Sequence, residues 1–454
     1  MVRPEGDSRG RAGAGGRKKD VLRACGPAPA PQEGSGRWEY TSTGNRENGG
    51  RVGRARGKSA RRRETASGKA SRTVPAPAPG GAPAPFPDDL PAPGALQDVP
   101  EFAVLRVDEA QRAAFDAYRA EVARATGSAA EELHLGCIVR LDRGFPLVIT
   151  AEGAFRSEHA VSFARDPSVL PAVGDWVAVR NSAAQDRGVI ERVLPRRTVF
   201  ERWRGGKRGE RQVLAANVDV ILIVQALGAE RGRDEAQRAV IRDRIARSMV
   251  LVNDCGAAPV VVLTKADRVD AGELEAARAD VRRLVGPDVR TVVTSSAHGQ
   301  GLEEVRSCIP AGSVAMILGE SGVGKSTLIN ALLGHELMAT GAVRARDDTG
   351  RHTTVARVMV ALPAPCGVLI DAPGLRSLPL VGHERGLART FPEVVEASRA
   401  CKFNDCTHTH EPGCAVRAAV EEDLIEAVRA DAFLALAREM RVSAQSLDPD
   451  ICLP

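Results

Sequence analysis

The sequence predicts an α/β protein of three parts: a small all-β barrel, a doubly wound sheet, and a helical C-terminal module built around a metal cluster. Three observations carry this. From residue 215 onward, apolar runs of strand length alternate with helix-like segments. Between 134 and 197, short apolar runs are separated by turn residues and show no helical spacing. Between 401 and 414, three cysteines and two histidines crowd together, whereas six other cysteines lie scattered along the chain.

The 454 residues suffice for several domains with real cores. Residues 1–75 carry 18 Lys and Arg against 7 Asp and Glu, net +11, so the rest of the chain, with 45 against 51, is net −6. Residues 1–100 have almost no apolar periodicity and many Pro and Gly, so a disordered basic and Pro-rich leader is expected there. No run of about 18 apolar residues exists, so no membrane partner is expected. Clustered rather than evenly paired cysteines argue for a metal over a disulfide framework, and hence for a reducing cytoplasmic location. A monomer is expected.

In chain order, helical spacing over 102–124 sets a helical segment at 101–133. "GCIVRLD", "PLVITAEG", "VGDWVAVRN" and "GVIERVLPRR" are the strands of a barrel at 134–200, and basic residues at their ends favour a nucleic-acid-facing surface. Residues 201–214 read as a basic linker. The runs "VDVILIV", "APVVVLT", "VRTVVTS", "SVAMILG" and "CGVLID" are buried-strand candidates of a domain at 215–379, with helices over 232–253 and 271–285 between the early ones. Residues 380–454 read as the metal-binding module, ending in helices near 416–428 and 430–441.

The stretch Gly319-Glu320-Ser321-Gly322-Val323-Gly324-Lys325-Ser326-Thr327 follows one such strand and opens a helix. Its backbone N–H groups would close around a β-phosphate, Lys325 would bring a point charge to the β and γ oxygens, and Ser326 a hydroxyl to Mg²⁺. Asp371 ends another strand three residues before Gly374, a spacing that suits a carboxylate near Mg²⁺ and an amide at the γ-phosphate. Between them, "TGRHTT" offers Thr353 or Thr354 as a further Mg²⁺ hydroxyl.

Thr264-Lys265-Ala266-Asp267 ends the strand "VVVL". The Asp267 carboxylate can accept from both guanine N1–H and N2–H₂, a donor pair adenine lacks, so the motif selects GTP over ATP. Ser296 and Ala297 would add backbone N–H contacts to guanine O6. This base-reading loop precedes the phosphate loop, an order that a circularly permuted chain allows because strand ends gather on one rim whatever their sequence order. Cys401, Cys406, His408 and Cys414 suit a closed tetrahedral Zn²⁺ site, with His410 the competitor to His408.

The order TKAD, SSAHGQG, GESGVGKST, GRHTT, DAPG and CKFNDCTHTHEPGC, preceded by "VGDWVAV" and "VLPRRT", closely resembles the circularly permuted bacterial GTPases of the RsgA or YjeQ family, over residues 134–442. The resemblance implies an OB-fold barrel, a permuted GTPase with GTP, GDP and Mg²⁺, and one structural Zn²⁺. It implies binding to the small ribosomal subunit and its rRNA, with GTP hydrolysis stimulated by that subunit during late maturation. It also implies that His352 helps position the hydrolytic water, consistent with the apolar Leu375 following DAPG where many GTPases carry glutamine. Thr264 departs from the usual asparagine, which implies a weakened guanine contact and a weakened tie to the phosphate loop. The alternative expectation is an RNA-binding zinc protein that uses nucleotide occupancy as a switch with little turnover.

Overall fold

The computed structural model describes residues 98–126, 130–141, 145–161, 163, 170–181, 187–204, 210–228, 235–337, 357–371 and 380–447. Nearly all of the leader lies outside these residues, as do His352, Thr353, Thr354, Gly374 and Leu375.

A 3-10 turn, Phe102–Val104, precedes helix α1, Glu109–Thr126. The helix starts later than its periodicity suggests because Asp108 caps it: the Gln111 N–H donates to Asp108 Oδ1 at 2.7 Å, and the Asp108 N–H donates back to Gln111 Oε1 at 3.1 Å. Strands β1 (Leu133–Leu141), β2 (Leu147–Thr150), β3 (Gly153–His159), β4 (Trp176–Arg180) and β5 (Gly188–Val193) follow. They run in the order β1-β2-β3-β5-β4, and β4 returns to pair with β1, so the sheet closes on itself. Ile138, Val148, Val177 and Ile190 pack together on one face, while alternate residues Cys137, Val139, Trp176 and Ala178 join the larger core that includes Phe115 of α1. The fully buried Asp175 accepts from Arg196 Nε and Nη2, each at 2.7 Å, and from the Ala172 N–H at 2.7 Å. Removing either partner would leave a buried charge uncompensated.

The segment 201–214, expected as a basic linker, carries regular strand at both of its ends. Strands β6 (Val199–Arg204) and β7 (Glu210–Ala216) form an antiparallel hairpin there. Buried Phe200, Leu214 and Ala215 anchor its base, and Arg211 pairs across it with Glu201 at 2.5 Å.

The central sheet is built from β8 (Val220–Ala226), β9 (Ala258–Thr264), β10 (Arg290–Val293), β11 (Val314–Leu318), β12 (Arg357–Ala361) and β13 (Val368–Asp371). Their spatial order is β10-β9-β8-β11-β13-β12, parallel throughout except for β12. Strand β12 also pairs with β1 through Arg140 opposite Val358, so the barrel and the central strands form one hydrogen-bonded sheet. Consecutive residues of β8 are buried on opposite faces. Ile221 and Ile223 share a core with Ile245 and Met249 of α2 (Glu235–Cys255), and Leu222 and Val224 share another with Leu328 and Leu332 of α5 (Lys325–Leu333). Burial on both faces explains why these strands read as continuous apolar runs. Helix α3 (Ala271–Val285) contributes to the α2 side and α4 (Leu302–Ser307) to the α5 side.

The C-terminal part carries α6 (Glu384–Thr390), α7 (Pro392–Ser398), α8 (Ala415–Glu421) and α9 (Ala427–Leu447). The first of the two helices expected at the end stops at Glu421, and Asp423 then takes φ +56° in the turn that leads to α9. Helix α9 is held against α2 by the Arg247–Glu439 ion pair, and against α3 by Arg429, which donates to the Leu284 carbonyl at 2.5 Å. At the other end of α2, buried Asp254 accepts from His383 Nδ1 at 2.8 Å and from Arg385 Nε at 3.3 Å. No helix among the described residues is long and apolar enough to cross a membrane.

Candidate nucleotide site and metal centre

Because β8, β9, β10, β11 and β13 are parallel, their carboxyl ends lie on one rim, and Thr264, Ser295, Gly319 and Asp371 each stand at or just after one of those ends. The chain runs from β8 outward to β9 and β10, then crosses to β11 on the other side of β8. The boundary between β8 and β11 is therefore the switch point of the sheet, where a crevice opens for a ligand. Gly319 to Gly324 leave β11 at that point.

Local sequence explains the shape of this loop. Gly319 lies so close to β8 that a Cβ would come within 2.6 Å of the Val224 carbonyl oxygen. Gly324 takes φ +97° and caps α5, which starts at Lys325. The first-turn N–H groups of α5 thus face the crevice, the arrangement that binds phosphate at helix N-termini. Lys325 Nζ donates to the carbonyls of Gly319 (2.7 Å) and Glu320 (2.5 Å), which folds its ammonium over the loop. Ser326 and Thr327 continue the same turn, and Asp371 is buried at the end of the neighbouring strand β13, where Ile317 of β11 is its register partner. Ser321 and Gly322 form the exposed tip, whereas Val323 is buried beneath it.

The base-reading loop crosses to this loop. Thr264 is 2 % exposed, and its hydroxyl donates to the Val323 carbonyl at 2.6 Å. Lys265, held at φ +60°, donates from Nζ to the Gly322 carbonyl at 2.7 Å. The threonine therefore ties the base-reading loop directly to the phosphate loop from a short side chain. Asp267 follows in a 3-10 turn, Ala266–Arg268, and the chain enters α3 through a reciprocal Asp270 and Glu273 cap.

Ser295, directly ahead of Ser296 and Ala297, faces Asp267: its hydroxyl donates to Asp267 Oδ1 at 2.6 Å. That bond is the main cause that holds the Asp267 carboxyl below its usual range. Ser296 is half-buried and Ala297 exposed in the turn that follows.

Behind the phosphate loop, a cavity of about 520 Å³ is lined by Glu320, Arg244 and Arg247 of α2, and Leu436 and Glu439 of α9. Glu320 pairs with Arg244 at 2.8 Å, and Arg247 with Glu439. The phosphate loop and the last helix thus grip neighbouring turns of α2.

The four candidate metal ligands are brought together. Ligand atoms of Cys401, Cys406, His408 and Cys414 lie within 4.8 Å of one another. His408 Nδ1 is 3.5 Å from both Cys401 Sγ and Cys414 Sγ, which are 4.0 Å apart. Tetrahedral zinc, with bonds of roughly 2.3 Å to sulfur and 2.0 Å to nitrogen, needs about 3.8 Å between sulfurs and 3.5 Å from sulfur to nitrogen. The donor set fits. His408 reaches the cluster from φ +59°, whereas His410 faces Thr409 at the exposed rim. Glu411, which the sequence did not single out, accepts the N–H groups of Thr407 (3.0 Å), Thr409 (3.1 Å) and His410 (3.2 Å). It shapes the loop that presents Cys406 and His408. The Arg417 N–H, in the first turn of α8, donates to Cys414 Sγ at 3.4 Å and holds that side chain toward the cluster.

A family described as RsgA GTPase matches residues 193–381. A "Small ribosomal subunit biogenesis GTPase RsgA" from Streptomyces coelicolor is 42% identical over 312 residues, covering 68% of this chain and 81% of that protein. "Small ribosomal subunit biogenesis GTPase RsgA 2" from Lactiplantibacillus plantarum is 40% identical over 310 residues, covering 67% and 83%. Among solved structures, YjeQ from Thermotoga maritima aligns with a TM-score of 0.50 at 24% identity, over 68% of this chain and 99% of that one; this likeness concerns the fold.

Proposed function

The chain belongs to the RsgA GTPase family, and from that premise we propose that it hydrolyses GTP to GDP and phosphate while bound to the small ribosomal subunit, late in that subunit's maturation. The observation that carries the reading is the bond from Thr264 to Val323, which joins a guanine-selective loop to a phosphate-binding loop across the switch point of one sheet. In this reading Lys265 and Asp267 seat the base, and the loop from Gly319 to Thr327 wraps the phosphates. Mg²⁺, held by Ser326, Asp371 and one of Thr353 or Thr354, would neutralise charge on the β and γ oxygens. Gly374 meets the γ-phosphate, and His352 orients the attacking water.

The five-stranded closure of order β1-β2-β3-β5-β4 supports reading the barrel as an OB fold, a fold whose exposed face suits ribosomal RNA. The Cys₃His set supports one structural Zn²⁺, with all four positions filled by protein. The protein then acts in the cytoplasm, where small subunits mature.

Purified full-length protein supplied with Mg²⁺ is expected to release phosphate from GTP and not from ATP. Equal consumption of ATP would refute the assignment of Asp267, and bound but unhydrolysed GTP, even with small subunits present, would favour a switch without turnover. Thr264→Val should leave the Val323 carbonyl without its donor, at a cost of about 1–3 kcal/mol. Roughly tenfold weaker GDP binding is expected, measured by fluorescence titration, with Thr264→Ser near wild type.

A further inference from the structure

The base-reading carboxylate does not stand alone. Asp267 Oδ1 accepts from the Ser295 hydroxyl at 2.6 Å, and the same hydroxyl oxygen lies 3.0 Å from His298 Nδ1. An ionised carboxylate can only accept, so the single hydroxyl proton of Ser295 is committed to Asp267. The contact with His298 must therefore be donated by the imidazole, which fixes its proton on Nδ1. A directed chain of donors results, from His298 to Ser295 to Asp267.

Backbone geometry holds the chain in place. The Ser295 N–H donates to the Gln300 carbonyl at 3.1 Å, and the N–H groups of Gln300 (3.0 Å) and His298 (3.2 Å) both donate to the Ser295 carbonyl. The resulting turn closes on Ser295 and returns His298 to its side. Accepting from the imidazole polarises the Ser295 hydroxyl and strengthens its bond to the carboxylate. It also removes the freedom of that hydroxyl to rotate away.

We infer that His298 is a specificity-positioning residue: through Ser295 it fixes the Asp267 carboxylate in the orientation that reads both hydrogen-bond donors of guanine. It touches no nucleotide itself. The inference rests on the GTP-binding reading above and adds a residue to it.

The test compares full-length wild type, His298→Ala and His298→Asn. Affinities for GDP, IDP, ADP and inorganic triphosphate are measured by competition against a fluorescent guanine nucleotide, or by calorimetry where that probe does not bind. Hypoxanthine offers N1–H but lacks the N2 amino group, so the preference for GDP over IDP reports how well the carboxylate meets two donors at once. In His298→Ala that preference should fall roughly fivefold, the size expected for one lost hydrogen bond acting through a second. Affinity for triphosphate should hold, which separates a base effect from collapse of the pocket. His298→Asn, whose amide N–H can stand in for Nδ1–H, should restore the preference.

An unchanged GDP to IDP ratio in His298→Ala would overturn the inference, as would a parallel loss of GDP, IDP and triphosphate binding. Wild type binding GDP no better than ADP would overturn the guanine reading and this inference together. A selective wild type with an equally selective His298→Ala would remove this inference alone.

Discussion

Lys325→Ala should reduce GTP hydrolysis by two to three orders of magnitude and weaken binding of nucleotides that carry β and γ phosphates, as measured by single-turnover phosphate release and by titration. The size follows from removing the point charge of a phosphate-loop lysine, whose electrostatic contribution to phosphoryl transfer typically amounts to about 3–4 kcal/mol. In the structure the ammonium lies over the Gly319 and Glu320 carbonyls, already inside the loop. Loss of the side chain therefore also frees the two carbonyls that it gathers. His352→Ala should differ, sparing GDP and GTP affinity while slowing the hydrolytic step. Equal loss of binding in the two variants would refute the division of roles between the lysine and the histidine.

Cys406→Ser is the second substitution with a large expected effect. It removes one of four donors from the cluster, beside which His410 faces Thr409 and the Glu411 carboxylate, 3.8 Å from the Cys406 sulfur, already accepts three backbone N–H groups. Structural zinc in small sites contributes on the order of 10 kcal/mol to local folding. The variant should purify without stoichiometric metal, and its 401–414 loop should become sensitive to protease. Helix α9 should stay docked, since Arg429 donates to the Leu284 and Thr390 carbonyls and Phe391 packs edge-on against Phe433, all outside the cluster. The expectation is thus local unfolding rather than loss of the whole C-terminal part. Retained zinc, read by elemental analysis, would show that the ligand set is wrong; release of α9, read by hydrogen exchange, would show that the cluster holds more than its own loop.

The reversed motif order has a structural consequence. The chain leaves the nucleotide rim after β13 and goes directly into the C-terminal helices, while Glu320 of the phosphate loop pairs with Arg244 on the same helix that holds α9 through Arg247. The C-terminal helices are therefore joined to the nucleotide site both along the chain and through α2.

Legibility of the fold followed the physics of each segment. The parallel strands were clear because burial on both faces makes them continuous apolar runs, as Ile221 to Val224 show. Helix α3 matched its expected ends, 271 and 285, because its Asp270 and Glu273 cap and its Gly286 terminus are written in the sequence. The β6 and β7 hairpin was hidden because its pairs include Arg202 with Gln212 and Arg211 with Glu201, so its alternation reads as charge rather than hydrophobicity. At the site, the Ser295 bond to Asp267 joins residues 28 apart in sequence, a contact that composition does not encode. The Thr264 tie joins residues 59 apart in sequence and depends on a backbone approach that only the folded sheet reveals. Glu411 was passed over because exposed carboxylates are common, and its three backbone donors are a property of the loop.

The most direct test of the account is GTP hydrolysis by the purified full-length protein with and without small ribosomal subunits, with large subunits and ATP as controls. The account predicts strong stimulation by small subunits alone and with GTP alone. GTP that binds yet shows no stimulation, or equal stimulation by large subunits, would contradict it.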